Sequence, residues 1–199
     1  MDLLHPFKVD NGGESYFKTE RRPHGFLAPN LNPKTGERFK GEKRSFYEGG
    51  LRIPFIVRWP GMIAPGTRSD YLGYFPDVMP TLAELAGVEP AEKTDGISFV
   101  PTLLGAEQAG RKQEQHQYLY WEDPYSYAVR MGDWKLIQLS GEPLELYDLS
   151  TDLEELNNVA SEHPEILEKM KKYAKEAHTP PREGQVLDAS IGFQGHDKD

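Results

Sequence analysis

The sequence has no cysteine among its 199 residues. This absence excludes disulfides, thiolate metal sites and a cysteine nucleophile within these residues, while the redox compartment stays open. The sequence also has no run of 18 apolar residues, so it predicts no membrane span. Its first residues, MDLLHPFKVDNGG, have neither the basic region nor the apolar region of a signal peptide. Localisation is therefore unknown from these residues.

The sequence has fewer basic than acidic residues, with 23 Lys and Arg against 32 Asp and Glu and a net charge of −9. This balance argues against a general nucleic-acid binder, because such proteins neutralise phosphates with basic side chains. The charge is unevenly distributed: residues 1–60 have eleven basic and seven acidic residues, whereas residues 142–168 have nine acids and no Lys or Arg. The basic front end can receive an anionic small molecule, and the acidic stretch is best interpreted as a solvated face.

The first half of the chain combines a long loop with one strand and one helix. Residues 10–46 are rich in Gly, Pro, Asn and charge, and a loop of this length is usually functional or disordered. The segment IPFIVRWP, residues 53–60, predicts a strand buried on both faces, because its apolar residues are nearly continuous. The segment FPDVMPTLAELAGV predicts a short helix that Asp77 caps and Gly87 ends.

The second half follows a polar stretch, residues 105–115, which predicts a subdomain boundary. Four short apolar segments then predict an antiparallel meander, namely QYLYWE, SYAVRMG, DWKLIQL and LELYDL. Apolar residues at helical spacing predict a final helix over residues 164–177, packed on that sheet. The aromatic residues of the strands predict core packing rather than a sugar platform. The segment after residue 180 predicts a loose tail.

Three places in the sequence are candidates for chemistry, and a fourth, Glu48, is a candidate for a structural role. Asp10 and Asn11 precede two glycines, and their oxygens suit Ca²⁺ or Mg²⁺, although Asp-Asn-Gly-Gly is also an ordinary turn. Lys43 lies on a polar turn ahead of Gly49-Gly50 and can face an anion, or it can be a solvated lysine. Glu48 suits a structural role, holding the turn through loop N–H groups. His24 can donate to an anion, but a single loop histidine is often incidental.

In combination these segments resemble a known family. DNGG is followed by GEKRSFYEGGLRIPFIVRWPG, GYFPDVMPTLAELAGV, DGISFVPTLLG, AVRMGDWKLI and ELYDLSTDLEELNNVA. In this order and spacing, residues 10–178 resemble the C-terminal part of type I sulfatases, the arylsulfatase family of the alkaline-phosphatase-like superfamily. The most specific motif is K-x-x-x-Y-E-G-G-[LIV]-R-x-P-[FM], from Lys43 to Phe55.

The resemblance implies roles for three residues. Asp10 and Asn11 match an Asp-Asn pair that supplies two ligands of the active-site calcium in these sulfatases. Lys43 matches the lysine that contacts the sulfate-ester oxygens and stabilises the charge on the leaving group. His24 is added as a weaker candidate for substrate binding. The implied partner is a sulfate-ester small molecule or a sulfated glycan.

The resemblance also implies what these residues lack. The family uses a formylglycine nucleophile made from Cys or Ser in a C/S-x-P-S-R motif, and this sequence contains no such motif. The other two calcium aspartates and further Lys and His residues belong to the same absent N-terminal half. We therefore expect Met1 to mark a truncated or mis-started reading frame, and the chain alone to be inactive. Members of the family are usually exported.

The expected fold is α/β: the closing part of an alkaline-phosphatase-like mixed sheet domain, then a small antiparallel sheet and a C-terminal helix. The expected units are residues 1–104 (truncated catalytic domain), 105–180 (α+β subdomain) and 181–199 (loose tail). Two alternative functions are retained. One is a non-catalytic binding or interaction module derived from a sulfatase, and the other is part of a related phosphoesterase or phosphonate hydrolase.

Overall fold

A computed structural model describes the backbone of residues 5–8 and the whole of residues 30–89 and 94–180. The predicted tail, residues 181–199, lies outside this part of the chain. The described elements form a two-stranded sheet, several short helices, and a four-stranded sheet with one long helix. None of the described helices is both long and apolar enough to cross a membrane.

The two-stranded sheet consists of β1 (His5–Lys8) and β2 (Phe55–Arg58), which pair antiparallel. The prediction of a strand at β2 is confirmed, but the prediction that it is buried on both faces is wrong for this structure. Phe55 is 43% exposed and Ile56 is 59% exposed. The apolar sequence is that of a covered strand, whereas within the described residues β1 is the only strand that pairs with β2.

The helix predicted after β2 is α2 (Val78–Ala86), which follows a 3₁₀ turn at Phe75–Asp77. It ends at Gly87, whose φ of 68° is the left-handed conformation that glycine adopts without a Cβ penalty. The apolar side chains of α2 are largely on the outside, with Met79 65% exposed and Leu82 45% exposed. Two short helices follow, α3 (Val100–Leu104) and α4 (Ala106–Ala109).

Asp77 has a different role from the predicted cap of α2. Its carboxylate makes no capping hydrogen bond to that helix and accepts instead from the backbone N–H groups of Tyr74, at 3.0 Å, and Ile97, at 2.8 Å. His116 Nε2 lies 2.8 Å from Asp77 Oδ1, and the Asp77 side chain is fully buried. This carboxylate therefore ties the start of the 3₁₀ turn to two later segments of the chain.

The four-stranded sheet confirms the predicted meander. Its strands are β3 (Leu119–Glu122), β4 (Tyr127–Met131), β5 (Trp134–Gln138) and β6 (Glu145–Asp148), and each pairs antiparallel with the next along the chain. Helix α5 (Pro164–Ala177) begins and ends where the apolar spacing predicts.

Both faces of this sheet are covered. On one face, Val129, Leu136 and Leu146 pack with Met170 and Tyr173 of α5. On the other face, the buried residues alternate along the strands with those of the first face. They pack against side chains from outside the sheet. These sheet residues are Ala128, Ile137 and Tyr147, and their neighbours include Phe46, Tyr47 and Leu153. The segment that follows Lys43 is therefore the second cover of the C-terminal sheet.

Candidate active site

Lys43 lies on a tight turn. The backbone N–H of Ser45 donates to the carbonyl of Glu42 at 2.9 Å, which makes Lys43 and Arg44 the two central residues. Arg44 has a φ of 78°, and a positive φ at the third residue is typical of type II turns, where glycine is usual. A left-handed conformation costs a residue with a Cβ roughly 1–2 kcal/mol. The surrounding contacts must therefore hold this turn in place.

Two glycines allow a helix to lie directly against the turn. Helix α1 (Glu48–Leu51) contains Gly49 and Gly50, and Gly49 N donates to the carbonyl of Lys40 at 2.8 Å. A Cβ on Gly49 would lie 2.6 Å from that carbonyl oxygen, and a Cβ on Gly50 would lie 2.5 Å from the carbonyl oxygen of Glu42. Both distances are far shorter than atomic contact permits. The Gly-Gly pair is therefore required by the close approach of two backbone segments.

The first residue of α1 is held by a buried ionic cluster. The Lys135 ammonium lies 2.9 Å from Glu48 Oε1 and 2.7 Å from Glu155 Oε1. Glu155 Oε2 accepts a hydrogen bond from the backbone N–H of Glu48 at 2.6 Å. The three side chains are between 0% and 3% exposed. Removing one partner of such a buried pair usually costs about 3–5 kcal/mol, because the remaining charge is left uncompensated.

Two arginines complete the surroundings of Glu48. Its Oε2 lies 3.1 Å from Arg52 Nε and 3.7 Å from Arg130. Burial acts to raise the pKa of Glu48, but the charges of Lys135 and Arg130 outweigh it and hold the pKa below its usual value. The prediction that Glu48 bonds loop N–H groups is wrong for its carboxylate, which faces these cations instead.

The second carboxylate of the cluster is in a less favourable environment. Burial raises the pKa of Glu155 despite the neighbouring Lys135. Its Oε1 is close to the ammonium but poorly aligned for a hydrogen bond. Glu155 also has a φ of 58°, which is uncommon for a residue other than glycine. A buried carboxyl group on a left-handed backbone is a costly arrangement, and functional sites often contain such strained residues.

A second group of contacts attaches the same loop to β6. The hydroxyls of Tyr47 and Tyr147 both donate to Glu145 Oε2, at 2.6 and 2.9 Å. The Lys40 ammonium donates to the Tyr147 hydroxyl at 2.9 Å and lies 4.1 Å from the centre of the Tyr47 ring. Burial and the bond to Glu145 raise the pKa of both phenols, so they remain neutral donors near neutral pH. The turn of Lys43 thus has anchors on both sides.

Comparison with known proteins identifies the family. The family described as N-sulphoglucosamine sulphohydrolase, C-terminal, matches residues 36–179, which include the Lys43 turn, the ionic cluster and α5. The chain belongs to the sulfatase family. It corresponds to the C-terminal portion of a sulfatase of the alkaline-phosphatase-like fold, as the sequence predicts.

Proteins with similar sequences and structures are much longer than this chain. N-acetylgalactosamine-6-O-sulfatase of Bacteroides thetaiotaomicron is 32% identical over 158 residues, which cover 71% of this chain and 30% of the relative. A structure from work on glycosaminoglycan metabolism by Bacteroides thetaiotaomicron has a TM-score of 0.69 at 28% identity, covering 87% of this chain and 38% of that one. A protein solved in complex with its substrate, D-glucosamine-2-N,6-O-disulfate, has a TM-score of 0.58 at 26% identity, covering 77% and 33%. The chain therefore spans about a third of each of these proteins.

Of the predicted site residues of this chain, the structure describes Lys43. Asp10, Asn11 and His24 lie outside the described residues, so their grouping with Lys43 stays a prediction. Across residues 30–89 and 94–180, no group of three His, Asp or Glu side chains is placed to hold a metal ion. Calcium stays a prediction from the resemblance.

Lys135 and Glu155 are the site-related residues that sequence reasoning missed. Both lie within segments that carry the sulfatase resemblance, AVRMGDWKLI and ELYDLSTDLEELNNVA, but the resemblance implies no role for either. A signal was available for Lys135, which stands between Trp134 and Leu136 in a central strand whose other members are mostly apolar. A lysine at such a position requires a buried partner. The sequence alone gives no sign of which acid that partner is.

Proposed function

We propose that this chain supplies the C-terminal part of a sulfatase active site, in which Lys43 contacts the oxygens of a sulfate ester during its hydrolysis. The observation that supports this role is that the backbone turn carrying Lys43 is held rigidly by its neighbours. It lies on a turn fixed by the contact with Gly49 and by the buried ions around Glu48. A cation held in advance where negative charge develops stabilises a transition state without reorganisation.

The proposal assigns the nucleophile to a different part of the enzyme. By the family resemblance it is a formylglycine, and this chain contributes charge stabilisation rather than bond formation. Calcium would neutralise charge on the sulfate, with Asp10 and Asn11 as two of its ligands. Because calcium takes six to eight oxygens, we expect this chain to bind it weakly. A micromolar site in calorimetry that disappears in Asp10→Ala would contradict this expectation.

We further propose that the substrate is a sulfate ester of a small molecule or a sulfated glycan. Support comes from two similar proteins, one named for a 6-O-sulfated amino sugar and one solved with a disulfated glucosamine as its substrate. The basic excess of residues 1–60 is compatible with an anionic substrate.

The N-terminal part of a sulfatase domain is the proposed partner of this chain. The first half presents large apolar side chains to solvent, which folded proteins normally cover with further structure. These side chains are Phe55, Ile56, Met79, Leu82 and Val88, each between 43% and 65% exposed. This chain spans about a third of the length of these relatives, so we propose that the N-terminal part of the domain covers the exposed side chains.

The first experiment is an activity assay of the purified chain. With an aryl sulfate and calcium we expect no turnover above background, because the nucleophile is absent. Turnover that is present in this chain and lost in Lys43→Ala would contradict the proposed division of roles.

The second experiment completes the domain. N-acetylgalactosamine-6-O-sulfatase of Bacteroides thetaiotaomicron supplies the segment that precedes its match to this chain. This segment is fused to the N-terminus of the chain, and folding is checked by circular dichroism. In a folded, active chimera, Lys43→Ala should lower kcat on a sulfate ester by about 100-fold or more. Lys112→Ala, at an exposed loop position, is the matched control and should have no effect. Equal loss in both variants, or preference for the paired phosphate ester, would argue against the proposal.

A further inference from the structure

We infer that Lys135 and Glu155 are positioning residues for Lys43, so that the C-terminal sheet acts as part of the active site although it contributes no group to the chemistry. The inference rests on the proposed function, from which Lys43 takes its role. It adds two residues, from β5 and from the loop after β6, that place the lysine. Neither contacts the turn of Lys43 directly in any described interaction.

The path from the cluster to the turn has three links. Lys135 and Glu155 hold Glu48 at two points, the carboxylate and the backbone N–H. Glu48 begins α1, so these bonds fix where the helix starts. The next residue, Gly49, lies against the carbonyls of Lys40 and Gly41 and donates to the first of them. A displacement of Glu48 therefore displaces the base of the Lys43 turn.

Electrostatics supports a positioning role over simple stabilisation. The cluster places two carboxylates on one fully buried ammonium, whereas apolar side chains of similar volume often give equal or better stability in a protein interior. The ionic contacts add a specific orientation of α1. Glu155 accepts from one particular N–H and Lys135 contacts one oxygen of each acid, so one arrangement of α1 satisfies them all.

The chain also has a matched ion pair that lacks this connection. Lys171 Nζ lies 2.7 Å from Glu168 Oε1 on the outside of α5, with both side chains well exposed. The distance equals that between Lys135 and Glu155, but the pair is three residues apart on one helix. Lys171→Met is therefore the control for Lys135→Met, with the same chemical change and no path to the turn.

The test uses the whole 199-residue chain and observes Lys43 itself. Lysine amines are labelled by reductive ¹³C-methylation, and the Lys43 resonance is assigned through its loss in Lys43→Arg. In parallel, hydrogen exchange is measured for residues 40–51 and for α5. We expect Lys135→Met to move or broaden the Lys43 resonance and to speed exchange in residues 40–51 by about tenfold, with much less change in α5. Lys171→Met should alter neither reading.

A milder variant covers the case in which Lys135→Met does not fold. Glu155→Gln keeps the volume and an oxygen for the Glu48 N–H, and replaces the oxygen beside the Lys135 ammonium with an amide nitrogen. It should speed exchange in residues 40–51 by about threefold and shift the Lys43 resonance in the same direction.

Two results would overturn the inference. An unchanged Lys43 resonance in either folded variant would show that the cluster does not place Lys43. An equal acceleration of exchange in residues 40–51 and α5 would show that the cluster stabilises the chain as a whole. The proposed function is tested separately, because a chimera that keeps its kcat in Lys43→Ala removes the role of Lys43 but leaves these results standing.

Discussion

Replacing Gly49 by alanine tests the contact on which the Lys43 turn depends. By helix propensity alone, Gly49→Ala within α1 should stabilise the chain by up to about 1 kcal/mol. The structure predicts the opposite, because the added Cβ would lie 2.6 Å from the carbonyl oxygen of Lys40 and 2.8 Å from the carbonyl carbon of Gly41. These are backbone atoms, so the loop must move away and the Gly49–Lys40 hydrogen bond must lengthen.

The expected size of the effect follows from these terms. Overpacking costs about 1–3 kcal/mol and a lost hydrogen bond about 1 kcal/mol, against which the propensity gain is set. We expect the free energy of unfolding to fall by about 2 kcal/mol. Urea unfolding, followed by circular dichroism and tryptophan fluorescence, should show a midpoint lowered by about 1 M with an unchanged slope.

The control for this prediction is Gly36→Ala. Gly36 has a φ of 76° but no atom within 4 Å of the new Cβ, so this change introduces backbone strain without a steric contact. It should cost about 1 kcal/mol. If Gly49→Ala were neutral, or less costly than Gly36→Ala, the close approach of α1 to the turn would not be the reason for the glycine pair.

Three other predictions concern the rest of the described chain. Burial and nearby carboxylates raise the pKa of Tyr74 to about 12, so the folded chain keeps a proton that the unfolded chain loses near pH 10. Stability from this group is complete below pH 10 and is lost as pH rises toward 12; phenolate absorbance rising near pH 10 for every tyrosine of the folded chain would contradict this. Asp77→Asn should lower the free energy of unfolding by about 2 kcal/mol, because an amide cannot accept from Ile97 N–H, Tyr74 N–H and His116 together; an unchanged urea midpoint would refute it. Met79→Lys, at a position 65% exposed, should change the stability of this chain by less than about 0.5 kcal/mol yet reduce the soluble yield of the completed domain; equal yields would count against α2 as a covered surface.

The parts of the fold that depend on short-range patterns could be predicted from the sequence. Helix α5 has its apolar residues at helical spacing and begins at a proline, and both of its ends agree with the prediction. The meander from β3 to β6 needs only turns between neighbours, and all four strands were located. The exposure of β2 could not be predicted from the sequence. Its apolar residues indicate a covered strand, but they do not show which segment covers it.

The candidate site was predictable to a similar extent. The motif around Lys43 indicated a turn ahead of Gly49-Gly50, whereas the close approach that requires these glycines and the partner of Glu48, which lies 87 residues further along the chain, were not predicted. No periodicity or turn signal spans such a distance. The positions of Asp10 and Asn11 relative to Lys43 stay a prediction.

The 87-residue separation of Glu48 and Lys135 has a consequence for synthesis on the ribosome. At about 5–20 residues per second, Glu48 is synthesised roughly 4–17 s before Lys135, and Glu155 follows later still. During this interval Glu48 has Arg52 as a neighbouring cation but lacks Lys135 and Arg130, and a four-residue helix does not persist alone. The Lys43 loop can therefore take its final shape only after the last third of the chain has been made. A nascent chain that stalls before β5 leaves the ribosome with this loop unformed.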